Sequence, residues 1–170
     1  MFFRTLASED AAAFTTLRLR GLRECPEAFA SSYEEEVDTP LAQTASRLQP
    51  NSESAIIGAF ENSLLVGVVG LQRERMVKLS HKAFVWGVYV APEARGRAVG
   101  MKLLRFALEY AALQLHVRQV NLGVNTTNTA ALALYKKLGF KQYGLEREYL
   151  FVNDKYYDEY QMACVVHAGA

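Results

Sequence analysis

Cysteine is scarce in this chain of 170 residues: Cys25 and Cys164 are its only two. Two thiols make neither a disulfide framework nor a cysteine-rich metal cluster, so the core must hold the fold and no metal is expected. Proline is nearly as rare. Pro26, Pro40, Pro50 and Pro92 each sit beside a change of pattern, and no Pro-rich linker divides the chain. Neither sign of charge prevails. Lys and Arg number 19 and Asp and Glu 18, for a net charge of +1, which speaks against a nucleic-acid partner, since such domains are strongly basic. Long apolar runs are missing too. The longest, Leu64 to Leu71 and Ala83 to Ala91, fall far short of the roughly 20 residues of a membrane helix, so no membrane partner is expected. The first residues, Met1-Phe2-Phe3-Arg4-Thr5-Leu6, carry no sustained apolar stretch of the signal-peptide kind. A soluble, cytoplasmic protein is the expectation.

What remains suits one domain, residues 1–170, of ordinary globular composition, with 51% hydrophobic and 22% charged residues. A chain of this length buries about 70% of its unfolded surface. The pattern predicts a strand over Phe2 to Leu6, then a helix capped by Ser8 and ended by Pro26. A weaker helix runs from Pro40 to Leu48. Ser54 to Phe60 and Leu64 to Gln72 form a hairpin, and His81 to Ala91 reads as a central strand, apolar on both faces. A long helix, Arg97 to Leu115, carries Leu103, Leu104, Ala107, Leu108, Ala111 and Leu115 at helical steps. Val117 to Val124 is a strand, and Asn128 caps a helix that Gly139 ends. Phe140 to Val152 and Tyr156 to Val166 form a long hairpin turning at Asn153-Asp154. The order β-α-α-β-β-β-α-β-α-β-β is a mixed α/β chain, and its strand–helix–strand stretch requires a partly parallel centre.

One segment carries chemistry on its face. Val88-Tyr89-Val90-Ala91-Pro92-Glu93-Ala94-Arg95-Gly96-Arg97-Ala98-Val99-Gly100-Met101-Lys102 runs from a strand through a loop into a helix. Amides at a helix start have no partner inside the helix, and the helix dipole favours negative charge there. Gly96 and Gly100 allow close approach of a ligand, and Arg95 and Arg97 add charge. Residues 94 to 108 hold Arg95, Arg97, Lys102 and Arg105 and no acidic residue, hence +4, which leaves −3 for the rest of the chain. A phosphate or pyrophosphate suits such a site. No Gly-Lys-Ser/Thr follows, so this is not a Walker loop, and no Gly-x-Gly-x-x-Gly is present. A second segment runs Asn128-Thr129-Ala130-Ala131-Leu132-Ala133-Leu134-Tyr135 to Gly139-Phe140. Tyr135 lies two turns beyond Asn128 on the same helix face. By themselves the two read equally well as a plain N-cap and a half-buried aromatic.

Together these segments resemble the GNAT superfamily of acetyl-CoA-dependent N-acetyltransferases. Arg95 to Gly100 is similar to that family's Arg/Gln-x-x-Gly-x-Gly/Ala motif, and Asn128 to Phe140 to its second motif. The resemblance implies a central mixed, mostly antiparallel sheet with flanking helices and a single acetyltransferase domain. It implies acetyl-CoA as cofactor, with the pantetheine arm along Val88, Tyr89 and Val90. The pyrophosphate would sit on the amides of Arg95, Gly96, Arg97, Ala98, Val99, Gly100 and Met101, with Asn128 on the arm. It implies direct attack by an acceptor amine, with Tyr135 as the acid that protonates the leaving thiolate.

One position departs from the motif. Its middle glycine is Ala98 here, which fits helical angles while placing a methyl near the phosphates. Some branches carry a carboxylate where this chain has Phe84, which leaves Glu34, His81 and Glu148 as candidate bases, Glu34 foremost. The acceptor walls of the family correspond to residues 26–36 and 146–160, which mix aromatics with carboxylates, and Phe29, Tyr33 and Glu34 are the expected acceptor contacts. Glu34 to Glu36 reads equally as a solvated acidic face. A small-molecule amine is the expected acceptor. A protein N-terminus or lysine, and a non-catalytic acetyl-CoA-binding module, are the alternatives. The long aromatic last hairpin makes a homodimer a candidate.

Overall fold

The computed structural model describes residues 1–167, and the last three residues of the expected domain lie outside them. The strands are β1 (Phe2–Thr5), β2 (Ser54–Glu61), β3 (Leu64–Arg73), β4 (Lys82–Val90), β5 (Gln119–Asn125), β6 (Lys141–Val152) and β7 (Lys155–Val165). They form one sheet in the order β1-β2-β3-β4-β5-β7-β6. Every pairing is antiparallel except that of β4 with β5. The helices are α1 (Ala11–Glu24), α2 (Tyr33–Glu36), α3 (Leu41–Arg47), α4 (Val99–Leu113) and α5 (Thr129–Lys137). The mixed α/β architecture is the one expected.

Strand alternation divides the core. Ile57, Ala59, Val69 and Leu71 point to one face of the sheet, where α4 lays down Leu103, Leu104, Ala107 and Ala111. Ile56, Phe60 and Val68 point to the other, where α1 supplies Phe14, Leu17 and Leu22. Leu103 and Leu104 are wholly buried, and truncating either to alanine would cost about 2–5 kcal/mol.

Both predicted hairpins form, each on a two-residue turn. Asn62 and Ser63, and again Asn153 and Asp154, all have positive φ, the requirement of a type I′ turn matched to strand twist. Gly139 follows α5 at φ 88°, as a helix-ending glycine does.

Three local expectations are corrected. Ser8 does not cap α1. Residues Ser8–Asp10 make a 3₁₀ turn instead, and the Asp10 carboxylate accepts from the Ala7 N–H at 2.8 Å and from two Arg4 nitrogens at 2.6 and 2.8 Å. A longer carboxylate held by an arginine outcompetes a hydroxyl here, and the Ser8 hydroxyl donates to the Ala45 carbonyl. Helix α4 begins at Val99, not Arg97. Ala98 stands before it in the left-handed region at φ 58°, so it does not take the right-handed helical angles expected of it. The single turn α2 has no counterpart in the sequence reading, because four residues are too few to show a period. A capping box starts it: the Glu35 N–H donates to Ser32 Oγ, and the Ser32 N–H donates to Glu35 Oε2.

Candidate functional site

Strands β4 and β5 pair only at Lys82–Gln119, Ala83–Val120 and Phe84–Asn121. Beyond Phe84 they diverge, and the opening between them holds two adjoining cavities. Parallel strands that part leave one edge of each without a partner, so a ligand can pair with backbone there.

The larger cavity has a volume of about 800 Å³. Its walls include Val88, Tyr89 and Val90 on β4, the loop from Arg95 into α4, Asn128 before α5, and Ala131 and Leu134 on α5. The loop is built for an anion. Pro92–Ala94 make a 3₁₀ turn after β4, Gly96 stands at φ 75° and Ala98 at φ 58°. Among the described residues, no backbone or side-chain acceptor takes the N–H of Gly96, Arg97, Ala98, Val99, Gly100 or Met101; the first helical bond is that of Lys102 to the Ala98 carbonyl. A β-carbon on Gly96 would meet nothing within 4 Å, so the approach is open. Successive free amides at a helix start fit a pyrophosphate. The residues present therefore suit coenzyme A.

The side chains divide differently from the backbone. Arg95 lines the cavity, and its Nε donates to the Val90 carbonyl at 2.8 Å. Arg97 turns away, with both terminal nitrogens on the Glu61 carboxylate at 2.7 and 2.8 Å. Only its backbone serves the loop. Asn128 caps α5 as expected, its Oδ1 accepting from the Ala131 N–H at 3.1 Å, and it also lines the cavity. The Tyr89 hydroxyl donates to Glu24 at 2.6 Å, and burial and that carboxylate push its pKa up.

Tyr135 is not part of the cavity wall. It is 6% exposed and edge-on to Phe140, 5.7 Å between ring centroids. Burial raises its pKa and keeps its proton in place. Among the described residues its hydroxyl has no hydrogen-bond partner.

The smaller cavity, about 150 Å³, adjoins the first and shares Glu27, Ala28, Phe29 and Asn125 with it. Of the three acceptor contacts expected, only Phe29 is there. Tyr33 is half-buried under the Arg23 guanidinium, 3.9 Å from its ring centre, and Glu34 is exposed. Neither lines a cavity. The reason is helical geometry. Glu34 and Glu36 lie two residues apart, about 200° around the short helix, so when Glu36 turns inward, Glu34 faces solvent. His81 and Glu148 are exposed and line neither cavity.

Residues the sequence did not single out occupy this cavity. Arg18 on α1 is 7% exposed. Its Nε and Nη2 donate to Glu36 at 3.0 and 2.7 Å. Burial pushes the Glu36 carboxyl up, but the Arg18 bonds and charge outweigh it and hold the pKa low. Asn125, 7% exposed, fastens the two cavities' shared edge. Its Nδ2 donates to the Glu27 carbonyl at 3.0 Å, and its Oδ1 accepts from the Thr127 N–H and hydroxyl at 2.9 Å.

Glu159 on β7 lines the cavity and lies over Gly123, where a β-carbon would overlap its carboxylate. Burial raises its pKa, and its cross-strand neighbour Glu146 adds to the shift. A signal for it existed in the sequence: a glycine inside a strand marks a close approach by another group. Trp86 lies over Gly70 and also borders this cavity.

Residues 19–140 match the family described as "Acetyltransferase (GNAT) family". The chain is 38% identical over 98 residues to the N-alpha-acetyltransferase RimI of Mycobacterium tuberculosis, covering 57% of this chain and 58% of that protein. It is 27% identical to a spermidine N(1)-acetyltransferase of Vibrio cholerae, covering 68% of this chain and 65% of that one. The chain thus spans less than two thirds of the length of these two relatives. In fold it is similar to yncA of Salmonella typhimurium, a structure with acetyl-CoA, at a TM-score of 0.84 and 20% identity over all of this chain and 96% of the other.

Proposed function

The chain belongs to the GNAT acetyltransferase family, and from that premise we propose that it transfers an acetyl group from acetyl-CoA to a primary amine of a small molecule, by direct attack in a ternary complex. The observation that carries this reading is the junction of the two cavities. One presents free amides for a pyrophosphate, the other presents a carboxylate to an acceptor, and they meet where β4 and β5 part. Acetyl-CoA supplies an activated acyl carbon and a thiol leaving group. No acyl-enzyme is needed, because both substrates reach the junction.

The chain's own residues have distinct parts. The amides from Gly96 to Met101 and the Asn128 amide bind and orient the cofactor. The unpaired edge of β4 from Val88 to Val90 holds its arm. Glu159, in place of the expected Glu34, takes a proton from the acceptor ammonium, and burial, by raising its pKa, makes it a stronger base than an exposed glutamate. The amine nitrogen then bonds to the acetyl carbon and releases its second proton to water as the carbon–sulfur bond breaks. Tyr135, a protonated hydroxyl without a partner, returns a proton to the departing sulfur.

The small cavity favours a small acceptor over a lysine on a protein surface. A dimer through β6, an edge strand that exposes Tyr143 and Phe151, belongs to the same reading, with light scattering as its check. Thiol release from acetyl-CoA with amino acids, polyamines, aminoglycosides and short peptides tests the whole. Turnover on one class supports the reading, and cofactor binding without turnover on any class overturns it in favour of a non-catalytic binding module.

A further inference from the structure

The small cavity contains one buried donor that nothing in the protein satisfies. Arg18 spends Nε and Nη2 on Glu36, and Nη1 is fully enclosed without an acceptor among the described residues. Buried guanidinium N–H groups are rarely left unpaired, because each has lost its water. Glu36 fixes the plane of the guanidinium from one side. Phe29 lies against it at 4.9 Å from the ring centre. Gly87 clears the space in front. It stands at φ 63°, and Arg18 Nη1 is 3.5 Å from where its β-carbon would be, with no other atom within 4 Å. Any larger residue would crowd the approach to Nη1 and strain the strand.

A second pole stands across the opening. The last β4–β5 pair is Phe84 with Asn121. Gly87 lies three residues beyond it on β4, and Gly123 two residues beyond it on β5. One glycine leaves room beside a donor, Arg18 Nη1, and the other makes room for an acceptor, the Glu159 carboxylate. Arg18 pairs with Glu36, and Asp158 with Arg147, so Glu159, with Glu27 also on the wall, leaves the cavity acidic and attracts a cation. The cavity of about 150 Å³ holds roughly five water-sized volumes, enough for a head group of a few heavy atoms.

We propose that this cavity recognises its acceptor as an α-amino carbonyl unit, with the carbonyl or carboxylate oxygen on Arg18 Nη1 and the amine at Glu159. The proposal rests on the acetyltransferase reading above. It deepens that reading by requiring an oxygen acceptor close to the reacting amine. A free amino acid and the first residue of a peptide both carry this unit. A polyamine does not. It would leave Nη1 unsatisfied and bring a second cation towards a guanidinium. Sites built to pair a polar group reject analogues that lack it far more strongly than apolar pockets reject a missing methylene.

The test compares three sets of acceptors on the intact chain: common L-amino acids, dipeptides with free N-termini, and the amines left when each amino acid loses its carboxylate, with spermidine added. Both kcat/KM for thiol release and calorimetric affinity for the coenzyme A-loaded protein are measured. The expected result is a preference of tenfold or more for the best α-amino carbonyl compound over its decarboxylated amine and over spermidine. A smaller preference overturns the proposal. Amino acids ahead of dipeptides identify a free metabolite as the source of the unit, and the reverse order identifies a chain terminus. Arg18→Lys keeps a cation but loses the planar fork. It should remove the preference while leaving acetyl-CoA affinity unchanged, and equal losses for all acceptors would overturn the assignment of Arg18. If nothing is acetylated, the affinities still decide. A tenfold binding preference without turnover keeps the recognition unit and removes the transferase reading.

Discussion

The carboxylate of Glu159 occupies the space over Gly123 that a side chain would fill. One strand gives up its side chain so that a carboxylate from β7 can reach the opening beside β5. Glu159 is half-buried, and burial together with Glu146 raises its pKa above the ordinary glutamate value of 4.5. The protonated form is thus favoured by folding, so stability is highest below that value and declines as pH rises through the raised pKa. Activity runs the other way, because a base acts when deprotonated. We expect kcat to rise with pH through a limb above the usual carboxylate range, and Glu159→Gln to abolish that limb and lower kcat by about 10²-fold or more. A retained limb would remove Glu159 from the role. Gly123→Ala should push the carboxylate aside and lower kcat comparably, with acetyl-CoA binding preserved.

Tyr135→Phe removes a hydroxyl and little volume. A thiol is a fair leaving group near its pKa of about 8.5, so acid help is modest. We expect kcat to fall about 10-fold to 100-fold with little change in acetyl-CoA affinity, read by steady-state kinetics beside equilibrium binding. An unchanged kcat across pH would remove Tyr135 from the role.

Ala98 stands in the left-handed region at φ 58°, immediately before α4. That conformation costs a residue with a β-carbon about 1–2 kcal/mol, and the greater unfolded-state freedom of glycine returns part of it. Ala98→Gly should therefore raise stability by up to about 1 kcal/mol, measured by urea denaturation. It should also tighten acetyl-CoA, because the methyl beside the free amides is gone. Weaker cofactor binding in this variant would contradict the placement of the pyrophosphate.

Asp10 joins strand β1 to the start of α1 through Arg4 and the Ala7 N–H. The bonds from Arg4 hold its pKa below the ordinary 3.8 against the effect of burial. Its stabilisation is present above that value and is lost as pH falls through the lowered pKa. Asp10→Asn should cost about 2 kcal/mol at neutral pH and flatten the acid limb of a stability–pH curve obtained by thermal melts.

The sequence by itself determined the elements and the cofactor loop, because both are local. Periods of two and of 3.6, turn residues such as Asn153-Asp154, and the run from Arg95 to Met101 are written within a few residues of one another. Even there, sequence assigned Arg97 to the ligand when its side chain belongs to Glu61, a partner 36 residues away. Only the tertiary structure decided the acceptor side. Arg18 and Glu36 come from two helices, Gly87 from β4 and Glu159 from β7, and what joins them is the point where β4 and β5 part. Glu34 was the candidate that the family resemblance offered, and a rotation of about 200° between it and Glu36 left Glu34 in water and set Glu36 on Arg18. Long-range packing sets such orientations, and no window along the chain contains them.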